Sequence, residues 1–201
     1  MQPVYVVFAG VNGAGKSTFY RTGLWRTDEM PRTMTRVNSD EIVVAQGGDP
    51  ASSADQLRAG REAVRLIEEC LSRRRSFNQE TTLTGHAVLR NMRRVREAGY
   101  WVVLYYIGVD APAVALDRIA HRVAVGGHDI DKETVQRRYR ASLRNLSRAL
   151  DLCDEATILD NTVEFVALAR WSAGVLSWVG DVAKRGAWFM NAVRDNELWR
   201  A

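Results

Sequence analysis

Short apolar runs that alternate with segments of helical periodicity predict an α/β fold, a three-layer sandwich with a parallel central sheet between two helical layers. A glycine-rich turn follows directly on the first apolar run, which is how a βα unit with a tight connection is written. The chain has 201 residues, 46% of them hydrophobic and 26% charged, enough for one well-buried domain and short for two, so a single domain over 1–201 is expected.

The first strand is Val4 to Ala9, Gly10 to Gly15 is the turn, and a helix starts near Lys16 and runs towards Trp25. Thr35 to Asn38 reads as a short second strand. Beyond Gly47-Gly48-Asp49-Pro50, Val64, Ile67 and Leu71 recur at helical spacing, with Ser52 or Ser53 as the N-cap. Phe77 to Thr82 reads as a strand end. Val88, Met92 and Val95 mark an amphipathic helix closed by Gly99, ahead of an apolar strand, Trp101 to Ile107, expected at the centre of the sheet. Asp110-Ala-Pro112 opens a helix that carries Asp117, Arg118 and Arg122 to Gly126-Gly127, where a mobile segment is expected. Val135, Tyr139, Leu143, Leu146 and Leu150 give another helix, followed by a short strand around Ala156 to Leu159. The segment of about 161–201 reads as helical, with Leu168, Trp171, Val175, Trp178 and Val182 on one stripe and its tryptophans as packing anchors.

Several function classes are set aside by composition. No run of eighteen apolar residues is present, and the first apolar run has neither a basic leader nor a cleavage site, so neither a membrane span nor a signal peptide is expected. Cys70 and Cys153 have no CxxC spacing and read as buried thiols of a reducing compartment, which predicts a cytoplasmic protein. The net charge of +4 rests on arginines set among helical repeats, so nucleic acid is not the expected partner, although a mildly positive field suits polyphosphates.

Gly10-Val-Asn-Gly-Ala-Gly-Lys16-Ser17 matches GxxxxGK[ST] between a buried strand and a helix. Such a P-loop turns successive N–H groups, with the helix N-terminus, towards phosphate oxygens. Gly10, Asn12, Gly13, Ala14, Gly15, Lys16, Ser17 and Thr18 are therefore the candidate ATP-binding residues, with Lys16 on the β- and γ-phosphates and the Ser17 hydroxyl on Mg²⁺. The expected fold is thus a P-loop NTPase sandwich.

What faces the γ-phosphate separates a kinase from a switch. Asp40 follows the second strand and either orients a substrate hydroxyl and takes its proton or caps a helix. Glu80, at a strand end, either grips substrate hydroxyls or the metal's water shell, or is a solvated cap. Thr81, Thr82 and Thr84 offer hydroxyls beside it. Arg118, Arg122, Arg137 and Arg138 flank the Gly126-Gly127 break and suggest a helical lid over about 118–140 that brings cations to the transferring group. His128 beside the break is a minor candidate. Asp160-Asn161 reads as a helix cap, with an approach to the nucleotide base or ribose as the alternative.

In order along the chain, Ala9 to Thr18, Val37-Asn-Ser-Asp40, Gln79-Glu-Thr-Thr-Leu83, Gly99-Tyr-Trp-Val-Val, Arg122-Val-Ala-Val-Gly-Gly-His128, Arg137-Arg-Tyr139 and Asp160-Asn161 resemble the zeta-toxin family of P-loop kinases, in its compact branch. The resemblance runs to about Asn161. It implies an ATP- and Mg²⁺-dependent kinase, with UDP-N-acetylglucosamine as the substrate of the best-known members and an antitoxin as partner. Carried over by motif, Lys16 and Ser17 hold phosphate and metal, Asp40 is the catalytic base, and Glu80 with Thr82 faces the substrate. Arg122 and Arg138 are the lid arginines, and Arg118 is a third cation near the nucleotide. The P-loop begins ten residues into the chain, so no long N-terminal extension of the kind many toxin members carry is expected. Phosphorylation of a small-molecule hydroxyl is the leading expectation; a nucleic-acid end kinase and a non-catalytic nucleotide-dependent binding module are the alternatives.

Overall fold

The computed structural model describes residues 2–127, 129–173 and 175–193. Strand β1 (Val4–Ala9) is buried along its whole length because it lies between β3 (Phe77–Thr81) and β4 (Trp101–Gly108), both parallel to it. A strand covered on both faces has no solvent side to mark with polar residues. Outside β3 pairs β2 (Thr35–Val37), and outside β4 pairs β5 (Glu155–Asp160), again parallel. The sheet has seven strands in the order β2-β3-β1-β4-β5-β6-β7, with β4 at its centre as expected.

Helices α1 (Lys16–Thr22) and α5 (Pro112–Ala124) cover one face. There Val6, Phe8, Val103 and Ile107 of the sheet meet Phe19 and Ile119. The other face carries α3 (Ser53–Ser72), α4 (His86–Glu97) and α6 (Lys132–Leu150). Tyr5, Val7, Leu104 and Tyr106 point that way, onto Ile67, Met92 and Leu146. This alternation along β1 and β4 builds the three layers, and full burial of a side chain such as Phe8 or Leu104 contributes about 1.5–3 kcal/mol. Ser52 caps α3 through the Asp55 N–H, and Asp131 caps α6 through the Thr134 N–H.

The helical reading of about 161–201 is corrected over 161–173 and 175–193, while 194–201 lie outside the described residues. Strands β6 (Val166–Ser172) and β7 (Val175–Val179) extend the sheet antiparallel, so the sheet is mixed at this edge. Only α7 (Val182–Arg185) and α8 (Ala187–Val193) are helical among the described residues there. The helix-like spacing of Leu168 and Trp171 arises from a bulge. Ile158 and Leu159 pair with Ala169 and Ala167, leaving Leu168 as an extra residue that breaks the period of two and yet is buried. Valine and tryptophan content suits strands in any case.

Trp188 of α8 lies against Gly108 so closely that a Cβ there would meet its ring, and its Nε1 donates to the buried Asp160 carboxylate at 2.9 Å. Trp188→Phe keeps the aromatic packing and removes that donor. The variant is expected to lose about 1–3 kcal/mol in denaturant unfolding, the cost of an under-satisfied buried acceptor.

Candidate active site

The turn between β1 and α1 takes its shape from glycines in left-handed conformations. Gly10 has φ 143° and Gly15 φ 100°. A Cβ on Gly10 would strike the Ile107 carbonyl of β4, and one on Gly15 the Asn161 amide. Other elements hold the loop from behind. Asn161 Nδ2 donates to Ala14 O at 2.8 Å, and Arg118 bridges Gly13 O at 3.4 Å to Thr162 O at 3.2 Å. Lys16 is 8% exposed and gives one of its three donors to Val11 O at 3.1 Å, which leaves two for an anion. Burial pushes its ammonium pKa down; Glu80 and Asp40 pull it back up, and Arg122 and Arg138 press it lower again.

Opposite the loop stand the ends of β2 and β3. Helix α2 (Ser39–Ala45) is capped by Asn38, whose Oδ1 accepts from the Asp40 N–H at 3.0 Å. Asp40 is therefore not the cap: its carboxylate lines the cleft, where Oδ1 accepts from Gln56 Nε2 at 3.3 Å. At the end of β3, Glu80 Oε1 accepts from the Ser17 hydroxyl at 2.8 Å, and Oε2 accepts from Asn38 Nδ2 at 3.1 Å and Arg36 Nη2 at 2.6 Å.

A cleft of about 670 Å³ opens between these halves. Asn12, Lys16, Asp40, Glu80, Thr82 and Arg138 all line it. Arg138 on α6 reaches across to Asn12 Oδ1 at 2.9 Å, and Tyr139 fastens the same helix to the Val109 carbonyl at 2.9 Å. Asp129, Asp131 and Arg137, at and just before the start of α6, also line the cleft.

Not every candidate meets at the cleft. Arg122, on the last turn of α5, acts on Lys16 through its charge and is not among the lining residues. Arg118 braces the loop from outside. Thr18 is exposed on α1, and Thr82 shares a hydrogen bond with Thr84 at 2.9 Å. His128 lies outside the described residues. Asn161 does not serve as a helix cap: the chain continues into β6, and its side chain holds the P-loop. Arg36, Asn38 and Gln56 were not singled out by the sequence reading. Nothing in the sequence marks Arg36, since a charge on a short edge strand is ordinary.

The donors at Ser17 and Glu80 are hard oxygens. Among the described residues no group of three His, Cys, Asp or Glu could hold a metal unaided. Hard oxygens such as those of Ser17 and Glu80 suit Mg²⁺, which keeps waters and leans on phosphate oxygens with one or two protein ligands. Among the described residues no helix is long and apolar enough to cross a membrane.

Comparison with known proteins agrees with this architecture. The chain is 32% identical over 139 residues to an uncharacterized protein of Haemophilus influenzae, covering 69% of this chain and 94% of that one. Among solved structures, a chain of the AvrRxo1-ORF1:ORF2 complex determined with ATP superposes with a TM-score of 0.69 at 17% identity, covering 91% of this chain and 62% of its own length. The PezAT toxin-antitoxin system of Streptococcus pneumoniae follows with a TM-score of 0.59 at 17% identity, covering 82% of this chain and 71% of that one. At such identity the structural likeness shows a shared fold, the α/β sandwich with a mostly parallel central sheet. The AAA_33 family model, described as an AAA domain, matches residues 6–151, and the chain belongs to that family.

Proposed function

We propose that this protein is an ATP-dependent kinase that transfers the γ-phosphoryl group to a hydroxyl of a small molecule, with a nucleotide sugar such as UDP-N-acetylglucosamine as the first acceptor to test. The observation that carries the reading is that Lys16 and Asp40 line one cleft and feel each other's charge, so a phosphate-binding cation shares that cleft with a carboxylate free of capping duty. Bound ATP with Mg²⁺ supplies the transferable phosphoryl group and neutralises part of its charge.

The chain's own residues do the rest. Lys16 and the loop N–H groups hold the β- and γ-phosphate oxygens, and Ser17 would offer its hydroxyl oxygen to the metal while its O–H stays directed at Glu80 Oε1. Asp40 orients the acceptor hydroxyl and receives its proton as the new O–P bond forms and ADP leaves. Arg138, and Arg122 at longer range, oppose the charge that develops on the transferring group. Thr82 gives the acceptor side a hydroxyl. An antitoxin partner belongs to the same reading, since the PezAT neighbour is a toxin-antitoxin system; it is tested by co-purification.

The deciding experiment incubates the protein with labelled ATP, Mg²⁺ and a metabolite extract. A phosphorylated hydroxyl compound is the expected product. Slow release of free phosphate alone would point to a nucleotide-dependent binding module, and label on oligonucleotide ends to an end kinase.

A further inference from the structure

Arg36 is a partly buried cation that meets the elements carrying both halves of the cleft. Its Nη2 donates to Glu80 Oε2 at 2.6 Å and Glu41 Oε1 at 3.0 Å, its Nε to Glu41 at 3.2 Å, and its Nη1 to Asn78 Oδ1 at 3.1 Å. The guanidinium lies over the Tyr20 ring, 3.8 Å from its centroid. Tyr20 belongs to α1, which begins with Lys16 and Ser17; Glu80 is the last residue but one of β3; Glu41 is next to Asp40 on α2. Both side chains of the inner pair are largely buried, 14% and 11% exposed. Burial works against the charge on Arg36, and the hydrogen bonds to Glu41 and Glu80 outweigh it, so its pKa is raised.

Because Glu80 receives the Ser17 hydroxyl on one oxygen and Arg36 on the other, the direction of that hydroxyl depends on how Arg36 holds the carboxylate. We propose that Arg36 is a positioning residue which, through Glu80, aims the Ser17 hydroxyl oxygen at the metal site and fixes α2 against the phosphate loop. This rests on the kinase reading above for its consequence in turnover, and on the Arg36–Glu80–Ser17 geometry together with the P-loop assignment of Ser17 to Mg²⁺ for its consequence in metal binding. A lysine cannot replace the guanidinium here. It is a single point charge without the planar fork that serves Glu80, Glu41 and Asn78 together, and it does not stack flat on an aromatic ring.

The test compares wild type with Arg36→Lys, following the tightening of a fluorescent ATP analogue as Mg²⁺ is added, next to thermal unfolding and steady-state kinetics. In Arg36→Lys the Mg²⁺ concentration for half-saturation is expected to rise about 10–100-fold, the usual cost of losing a residue that orients a metal ligand. Analogue affinity in EDTA is expected to stay unchanged, and kcat to fall without a matching rise in the acceptor KM. A wild-type Mg²⁺ half-saturation in a folded Arg36→Lys protein overturns the proposal, as does a wild-type protein whose ATP affinity ignores Mg²⁺. Tyr20→Leu removes the ring beneath the guanidinium and leaves every charge in place. It serves if Arg36→Lys does not fold: a smaller rise in the same direction supports the proposal, and no rise counts against it. If wild type tightens with Mg²⁺ yet phosphorylates no hydroxyl, the kinase reading fails while the metal titration still decides on Arg36.

Discussion

Asp40→Asn is expected to bind ATP as the wild type does and to transfer its phosphoryl group about 10²–10⁴-fold more slowly, the usual contribution of a positioned acid–base group. The substitution is nearly isosteric. Asn38 caps α2 through the backbone N–H of residue 40, so the cap survives the change at the cost of about 0.3–1 kcal/mol of charge–dipole interaction in the first turn, and an amide oxygen still accepts from Gln56. What is lost is a carboxylate able to take a proton. Analogue binding and single-turnover transfer, measured side by side, separate the two functions, and wild-type transfer would remove Asp40 from the chemistry. The same variant has a pH signature. The Asp40 charge raises the pKa of Lys16, so its removal lets that pKa fall further below the ordinary lysine value. Nucleotide binding that depends on the ammonium should then decline at a lower pH on the alkaline side than in the wild type.

Lys16→Met is expected to lower kcat by about 10²–10³-fold, as removal of one donor to developing charge does elsewhere. Weaker ATP binding should accompany it. Folding should not suffer, because the methionine fills the buried stem and the carboxylate facing it stays satisfied: Glu80 keeps Ser17, Asn38 and Arg36. Thermal unfolding without nucleotide should therefore match the wild type or exceed it. A large loss of stability in that unfolding measurement would mean that Lys16 is a structural cation first.

The parts of the molecule legible in the sequence are those encoded locally. The buried β1, the glycines of the loop and the cap before α3 each state their geometry within a few residues. Asp40 and Glu80 could be nominated because strand ends in a parallel sheet collect ligands. The partners of these residues could not be read in the same way. Asn161 reaches an atom of Ala14, 147 residues earlier, and nothing in Asp160-Asn161 distinguishes that duty from a cap. Arg36 meets Asn78 and Glu80 only because β2 pairs with β3 in one register. The 161–193 region misled through its bulge at Leu168, since one extra residue in a strand imitates the spacing of a helical stripe.

The brace behind the phosphate loop has a consequence for folding order. Gly10 rests against β4, Gly13 is held by Arg118 of α5, and Ala14 by Asn161 beyond β5. The nucleotide motif lies at the start of the chain, but its shape is supplied by residues more than ninety positions later, so an N-terminal fragment would carry the letters of the motif without its form. Loop closure over such separations comes late in folding. The ability to bind a triphosphate should therefore report completion of the whole sheet, and ATP, by binding only the finished state, should stabilise the far edge of the molecule together with its own seat.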